Sequence, residues 1–321
     1  MKNFLLKSIL FFVSVLVAAI VTDIWVSKTL ASSESYAMGD AKIWNDILKH
    51  DINDELLIYG SSRAWRHFDP QVIEKETGMS AYNFGVDGHA FDIQDLRHKL
   101  QLKHNSPPKV IIYSVDVNTL ILFDGLYNDE QFLPFFYSDP LFNTYTKSYD
   151  NFSSTDYNLP LVRYSGRKKA LTYFVKEVIN WPQERMRTKG FKASNETWNT
   201  DFESARKNKT TYYKKIDTNM VKCFDAFLKE MHSKKIAVIL MYTPEHVLGQ
   251  RLIENREDII SMFDSLATKN NSPFFDYSKA KMNSDKSYFY NSLHLNAKGV
   301  EAFNNLYMED LKTFINSETN K

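Results

Sequence analysis

The sequence predicts an α/β fold: a three-layer, flavodoxin-like sandwich on a five-stranded parallel sheet, preceded by an N-terminal transmembrane helix. Three observations predict it. Short continuous apolar runs alternate with segments of helical periodicity, the pattern of parallel strands covered on both faces by crossover helices. Caps and stops punctuate the alternation where helices should begin and end. One uncharged, largely apolar stretch, residues 8–22, follows Lys2 and Lys7 at the N-terminus.

That stretch comes first in the chain. It is shorter than the roughly 20 residues that usually cross a bilayer. Residues 4–6 and 24–26 extend its apolar surface, and Lys7 can snorkel. The leading lysines keep the amino end in the cytosol, which exports everything after Asp23 to the periplasmic or extracellular side. Residues 1–26 therefore read as a membrane anchor or a signal segment. Cleavage after Thr29-Leu30-Ala31 is the rival to an anchor; that site lies far from the end of the apolar run, which favours the anchor. Residues 27–54 read as a polar linker with a short helix around 41–48.

The first buried strand, 56–59, opens the stretch LLIYGSSRAWRHFDP. Asp69 as N-cap, Pro70 in the first helical position and Gly78 as stop frame the next helix. A short strand at 81–84 leads into the turn NFGVDG, then a helix over 91–103 with Ile93, Leu96, Leu100 and Leu102 apolar. PPKVIIYSVDVN holds the third strand and KKIAVILMYTP the fourth. Before the fourth comes a helix over 218–232, capped by Asp217, with Val221, Phe224, Leu228 and Met231 at helical spacing. Cys223 in that helix reads as a small core hydrophobe. SPFFDYS is the fifth strand, after a helix around 253–268, and a last helix covers 297–316.

Residues 119–216, between the third and fourth strands, are rich in Phe, Tyr and Trp. They are too many for a structureless loop. They read as a mainly helical insertion packed over one end of the sheet, with aromatics that serve mostly internal packing. Residues 55–321 then form one α/β domain carrying this insertion.

The 321-residue chain is 43% hydrophobic and 25% charged, an ordinary globular composition. A formal net charge of +1 without a basic stripe implies no nucleic-acid partner. One cysteine leaves no internal disulfide. No histidine–carboxylate cluster has metal-ligand spacing, and no P-loop or dinucleotide fingerprint occurs, so no metal or other cofactor is implied.

Ser61 and Ser62 follow a buried strand and a glycine. Locally two readings stay open: a helix cap, or a nucleophile, which needs a base. His294, in a loop ahead of the last helix, is the candidate base. Arg63, Arg66 and His67 flank the serines; they bind an anionic sugar or lipid headgroup, or are solvated or bonded to carbonyls. Arg63 and His246, the latter at the mouth of the fourth strand, are candidate substrate contacts. His98, His104 and His232 read as helix-surface residues.

Four blocks, IYGSSR, YNFGVDG, VIIYSVDVN and NSLHLNAKG, resemble in order and spacing those of the SGNH/GDSL hydrolase superfamily. The resemblance runs from Leu56 to about Leu311, apart from the insertion, and its first and last blocks are the specific ones. It implies a flavodoxin-like sandwich with a serine esterase or acyltransferase site. Ser62 matches the nucleophile of the G-D-S motif and His294 the base of the D-x-x-H motif. Gly88 matches the second-block glycine of the oxyanion hole, and Asn118 the third-block asparagine. Three features depart from the pattern. The third block reads Val115-Asp116-Val117-Asn118, without its glycine. Ser61 stands where the family has Asp, and Asn291 replaces the Asp of D-x-x-H, which orients the imidazole and stabilises its charged form. The site is then a dyad, or it borrows a carboxylate such as Asp116 or Glu245, or it is not a conventional hydrolase. The resemblance implies transfer or hydrolysis of acyl esters, such as acetyl groups on a cell-surface glycan. The alternative is a catalytically weak accessory or glycan-binding protein that partners an integral-membrane acyltransferase.

Overall fold

The computed structural model describes residues 1–33, 35, 39–182, 187–199 and 211–319. In chain order its elements are α1 (Lys2–Ala31), α2 (Gly39–Leu48), β1 (Leu56–Gly60), α3 (Ser62–His67), α4 (Pro70–Thr77), β2 (Ala81–Asn83), α5 (Phe91–His104), β3 (Val110–Val115), α6 (Pro140–Thr146), α7 (Ser154–Asn158), α8 (Lys168–Val178), α9 (Thr218–Ser233), β4 (Ala237–Tyr242), α10 (Val247–Gln250), α11 (Arg256–Lys269), β5 (Phe274–Asp276) and α12 (Ala297–Thr319). The chain divides into two compact units. One joins Met1–Asp46 to Asp124–Met186, and the other joins Ile47–Phe123 to Arg187–Lys321.

The second unit holds the predicted sheet. All five strands are parallel, in the order β2-β1-β3-β4-β5. Its central strands are apolar throughout because both faces are covered. Leu56 and Ile58 of β1 face a cluster containing Ile73 of α4 and Phe303, Tyr307 and Leu311 of α12. Tyr59 and Tyr113 face the opposite way, into an aromatic layer with Phe91 of α5 and Phe224 and Phe227 of α9. Phe263 of α11 joins that layer through Phe224. Each such side chain contributes about 1.5–3 kcal/mol by leaving water.

Local signals set the boundaries. The Asp69 carboxylate accepts from Gln71 N, Pro70 takes the first position of α4, and Gly78 ends it in the left-handed conformation at φ 74°. Asp217 caps α9 by accepting from Met220 N. Among the predicted boundaries that move, β2 stops at Asn83, α11 starts only at Arg256, and α12 runs on to Thr319. Cys223 is exposed rather than in the core; the buried stripe of α9 is Met220, Phe224, Phe227, Leu228 and Met231. His98 is not a surface residue. It is buried against the sheet, where Tyr59 Oη lies 3.1 Å from its Nδ1, and burial holds its pKa down to about 4.

In the first unit, α1 is long and apolar enough to cross a membrane. Its last third is built into the fold: Asp23, Val26, Ser27, Leu30 and Ala31 are buried. The Asp23 carboxylate accepts from Arg163 Nη2 at 2.5 Å and from Leu161 N at 2.7 Å, and Ser27 Oγ lies 2.8 Å from Tyr164 Oη. Asp23 and Arg163 are both shut off from solvent. Elsewhere in this unit Trp44 donates to Gln131 and packs between Phe132 and Phe142, which accounts for part of the insertion's aromatic content.

Candidate active site

Strand order places the site. β1 and β3 are neighbours, while the chain leaves β1 for β2 on one side and reaches β3 on the other. The crevice beyond the carboxyl ends of such a pair is where open α/β sheets bind ligands. Gly60 ends β1 at φ 136°, and a Cβ there would collide with Ser114 O of β3. The bend that follows throws the next two serines over the sheet edge.

Those serines divide the two roles. Ser61 is the N-cap of α3: its Oγ accepts from Arg63 N and donates to Asp116 Oδ2 at 2.5 Å. Asp116, just past β3, also accepts from Asn118 N through Oδ1, so one carboxylate ties the two strand ends together. Ser62 Oγ instead lies 2.8 Å from His294 Nε2.

The direction of that bond follows from the loop that carries His294. Asn291 Oδ1 accepts from Leu293 N at 3.0 Å and His294 N at 2.9 Å. Two backbone donors on one atom identify it as the amide oxygen. The same oxygen lies 3.1 Å from His294 Nδ1, so Nδ1 carries the proton. Nε2 then presents a lone pair, and the Ser62 hydroxyl donates to it. Burial, then Arg66 and Arg63, holds the His294 pKa down to about 3, so the ring is neutral at ordinary pH.

Neither Asp116 nor Glu245 takes the place of the missing carboxylate. Asp116 is engaged by Ser61 and Asn118, and Glu245 lies in a buried ion network. Arg63 Nη1 meets Glu245 at 3.0 Å, Arg256 Nε meets it at 2.6 Å, and Tyr242 Oη donates to it at 2.9 Å. Burial opposes the Arg63 charge, but Glu245, Tyr242 and Asp116 outweigh it and raise its pKa. Arg63 is therefore not solvated; it also bonds Thr243 Oγ1 and the Thr243 carbonyl.

His67 is not solvated either. Its Nε2 accepts Leu295 N–H at 3.0 Å, and its Nδ1 lies 2.8 Å from Thr243 Oγ1. Burial, then Arg63, His294 and Arg66, pushes its pKa well below the ordinary value. His67 thus grips the backbone one residue past His294. His246 is buried, caps α10 through Leu248 N, and packs on Trp198. Its own N–H donates to Ser292 O at 3.0 Å, so it braces the His294 loop from behind.

A cavity of about 60 Å³ opens over the pair, lined by Ser62, Gly88, Asn118, Phe123, Leu293 and His294 among others. One water takes about 10–15 Å³ on that measure, so the space suits a group of a few heavy atoms. Gly88 adopts φ 69°. Among the described residues the N–H groups of Ser62 and Gly88 and the Asn118 side-chain amide make no hydrogen bond, and Asn118 Oδ1 is buried without a partner. Two roomier hollows lie elsewhere: between α4 and α12, and by the amino ends of β4 and β5. Among the described residues neither holds a serine hydrogen-bonded to a histidine; in the second, Ser233 beside His232 donates to Glu230 O instead.

Sequence reasoning missed Ser61 as a brace to Asp116, the His67 grip and the Arg63–Glu245–Arg256 network. Only the cap preference of Ser61 was legible beforehand.

A serine hydroxyl donating to a neutral imidazole, beside three unpartnered donors at a strand-end crevice, is an arrangement fit for acyl transfer. No protein-family model and no curated protein matches the chain. Solved structures similar to it include a candidate acylhydrolase from Bacteroides fragilis (12% identity, 81% of this chain, 87% of that one, TM-score 0.35). Another is described as a candidate platelet activating factor from Streptococcus pneumonia (9% identity, 95% and 98%, TM-score 0.41). A third is a GDSL-like lipase from Bacteroides thetaiotaomicron (13% identity, 80% and 88%, TM-score 0.33). Likenesses this distant carry no weight for the activity, which rests on the geometry of the pair.

Proposed function

We propose that this chain is a membrane-anchored serine esterase or O-acyltransferase of the SGNH type, acting on short acyl esters of a cell-surface glycan. The observation that carries the reading is the 2.8 Å contact between Ser62 Oγ and His294 Nε2, with its proton direction fixed by Asn291. Ser62 Oγ attacks the ester carbonyl carbon as its proton passes to Nε2. The oxyanion takes the N–H groups of Ser62 and Gly88 and the Asn118 amide, and His294 returns the proton to the departing alcohol. Water or an acceptor hydroxyl then releases the acyl group from Ser62 by the same steps in reverse. The small cavity supports an acetyl-sized acyl group over a fatty chain. The buried Asp23–Arg163 pair supports an anchor that is kept, because cleavage after Ala31 strips Arg163 of its counter-ion.

The test is turnover of p-nitrophenyl acetate and fluorophosphonate labelling by the detergent-solubilised full chain. Both are expected in the wild type and lost in Ser62→Ala. A wild type that shows neither sinks the enzyme reading.

One observation favours a second reading. Asn291 supplies no charge, and an imidazole held near pKa 3 is a weak base. An accessory protein that binds an acylated glycan beside an integral-membrane acyltransferase needs the cavity but not the turnover. It predicts saturable binding of acetylated glycan with labelling absent.

A further inference from the structure

α8 carries an apolar face that nothing among the described residues covers. Leu171, Val175, Val178, Ile179 and, just beyond, Trp181 are 40–58% exposed. This is a continuous line rather than scattered surface hydrophobes, since Leu171, Val175 and Val178 follow helical spacing. Such a face on a water-soluble surface is costly.

The rest of α8 shows which way the line points. Phe174 packs edge-on against Trp25, with ring centroids 4.9 Å apart, and Glu177 accepts from Ser33 Oγ at 2.5 Å. At about 100° per residue, Phe174 lies roughly 70° and Glu177 roughly 130° round from the centre of the apolar line. Passing round α8 from the line, the partners move from Trp25 of α1 to Ser33, just past its end and away from its exposed apolar run. The line lies on the far side of Phe174 from Glu177, turned away from the Ser33 contact. The surroundings suit a bilayer boundary. Asp23 and Arg163 form their closed pair at this level of α1, and Trp25, Tyr137 and Leu159 stand exposed near it. Lys168 and Lys169 occupy the first turn of α8.

We infer that α8 is an interfacial helix, with Leu171, Val175, Val178 and Ile179 seated in the surface of the same bilayer that α1 crosses. Seating to a depth of about 5–10 Å is usual for such helices. Trp181 and Trp25 then take the headgroup level, where tryptophan is enriched, and Lys168 meets anionic lipid, whereas Lys169 points to another flank and bonds Asn128 Oδ1. The inference rests on the anchor reading of α1 and is independent of the Ser62 chemistry.

The test uses the full chain in nanodiscs of phosphatidylcholine and phosphatidylglycerol, with Cys223→Ser removing the one native thiol. Val175→Cys and Val178→Cys carry an environment-sensitive fluorophore; Lys169→Cys, on another flank of α8, is the reference. Thermal melts identify variants that still fold. A nitroxide placed high on the lipid chain is expected to quench the labels at 175 and 178 at least about threefold more than the label at 169. Equal quenching at all three overturns the inference. So does shielding of 175 and 178 from both the lipid nitroxide and an aqueous quencher, because another protein then covers the face. Alkaline carbonate extraction of the same membranes separates the two readings: release of the chain refutes the anchor itself, whereas retention with unquenched labels refutes only the seating of α8.

Discussion

Replacing Asn291 with aspartate probes the one member of the site that departs from a charged triad. Asn291 Oδ1 already accepts from His294 Nδ1–H and from two backbone N–H groups, so a carboxylate of the same shape keeps all three bonds. Only the charge changes. With charge centres about 4 Å apart and an effective dielectric near 20, carboxylate and imidazolium attract by about 4 kcal/mol. At about 1.4 kcal/mol per pKa unit that is about three units. His294, now held down to about 3, moves to about 6 in Asn291→Asp. The same attraction acts on the imidazolium that forms in the transition state, and turnover is expected to rise about 10²–10³-fold. The opposite exchange in a serine protease costs about 10⁴. The assay is kcat/KM on p-nitrophenyl acetate from about pH 4 to about pH 9, with Ser62→Ala as background. Wild type should be flat at the acid end. The variant should gain an acid limb near pH 6 and a higher plateau, by the shift worked above. Turnover within about twofold of wild type and no new limb would refute His294 as the responding base.

Other expectations follow from the same geometry. Asn118→Ala removes one donor of the proposed oxyanion site and should lower kcat by about 10²–10³ with KM little moved, read in steady-state kinetics. Glu245→Gln takes from buried Arg63 its ion-pair partner and leaves Arg256 with only the exposed Glu257. Breaking a buried pair costs about 3–5 kcal/mol, seen as a lower urea midpoint. Stability should also fall with acid. His67, His98 and His294 have folded pKa values below the ordinary histidine value, so the unfolded chain binds more protons in that interval. Their contribution is complete above about pH 6.5 and is lost as pH falls from there toward about 4 and below. Melting temperature against pH checks this; a flat profile through that window contradicts it.

The sheet was legible because its strands are apolar from end to end and its helices carry their own caps, as Asp69, Pro70 and Gly78 show around α4. The proximity of Ser62 and His294 is a different matter. They are 232 residues apart, and no local pattern joins them; only the resemblance of two distant blocks suggested the pairing. Arg63, His67 and His98 escaped because position in a loop or on a helix says little about depth. Each is held inside by a partner that comes from another part of the chain: Glu245 for Arg63, Leu295 N–H for His67 and Tyr59 for His98. Cys223 erred the other way, one residue off the buried stripe of α9.

The joint between Asp23 and Arg163 spans 140 residues of chain. During synthesis the first helix leaves the ribosome long before its counter-charge exists. On the anchor reading, the carboxylate waits at the membrane boundary, still hydrated, until the insertion has been made and delivered to it. Assembly of this unit is then ordered on that reading, with lipid first and closure second. A version trimmed after the helix lacks the buried carboxylate that meets Arg163, and any recombinant preparation should retain residue 23.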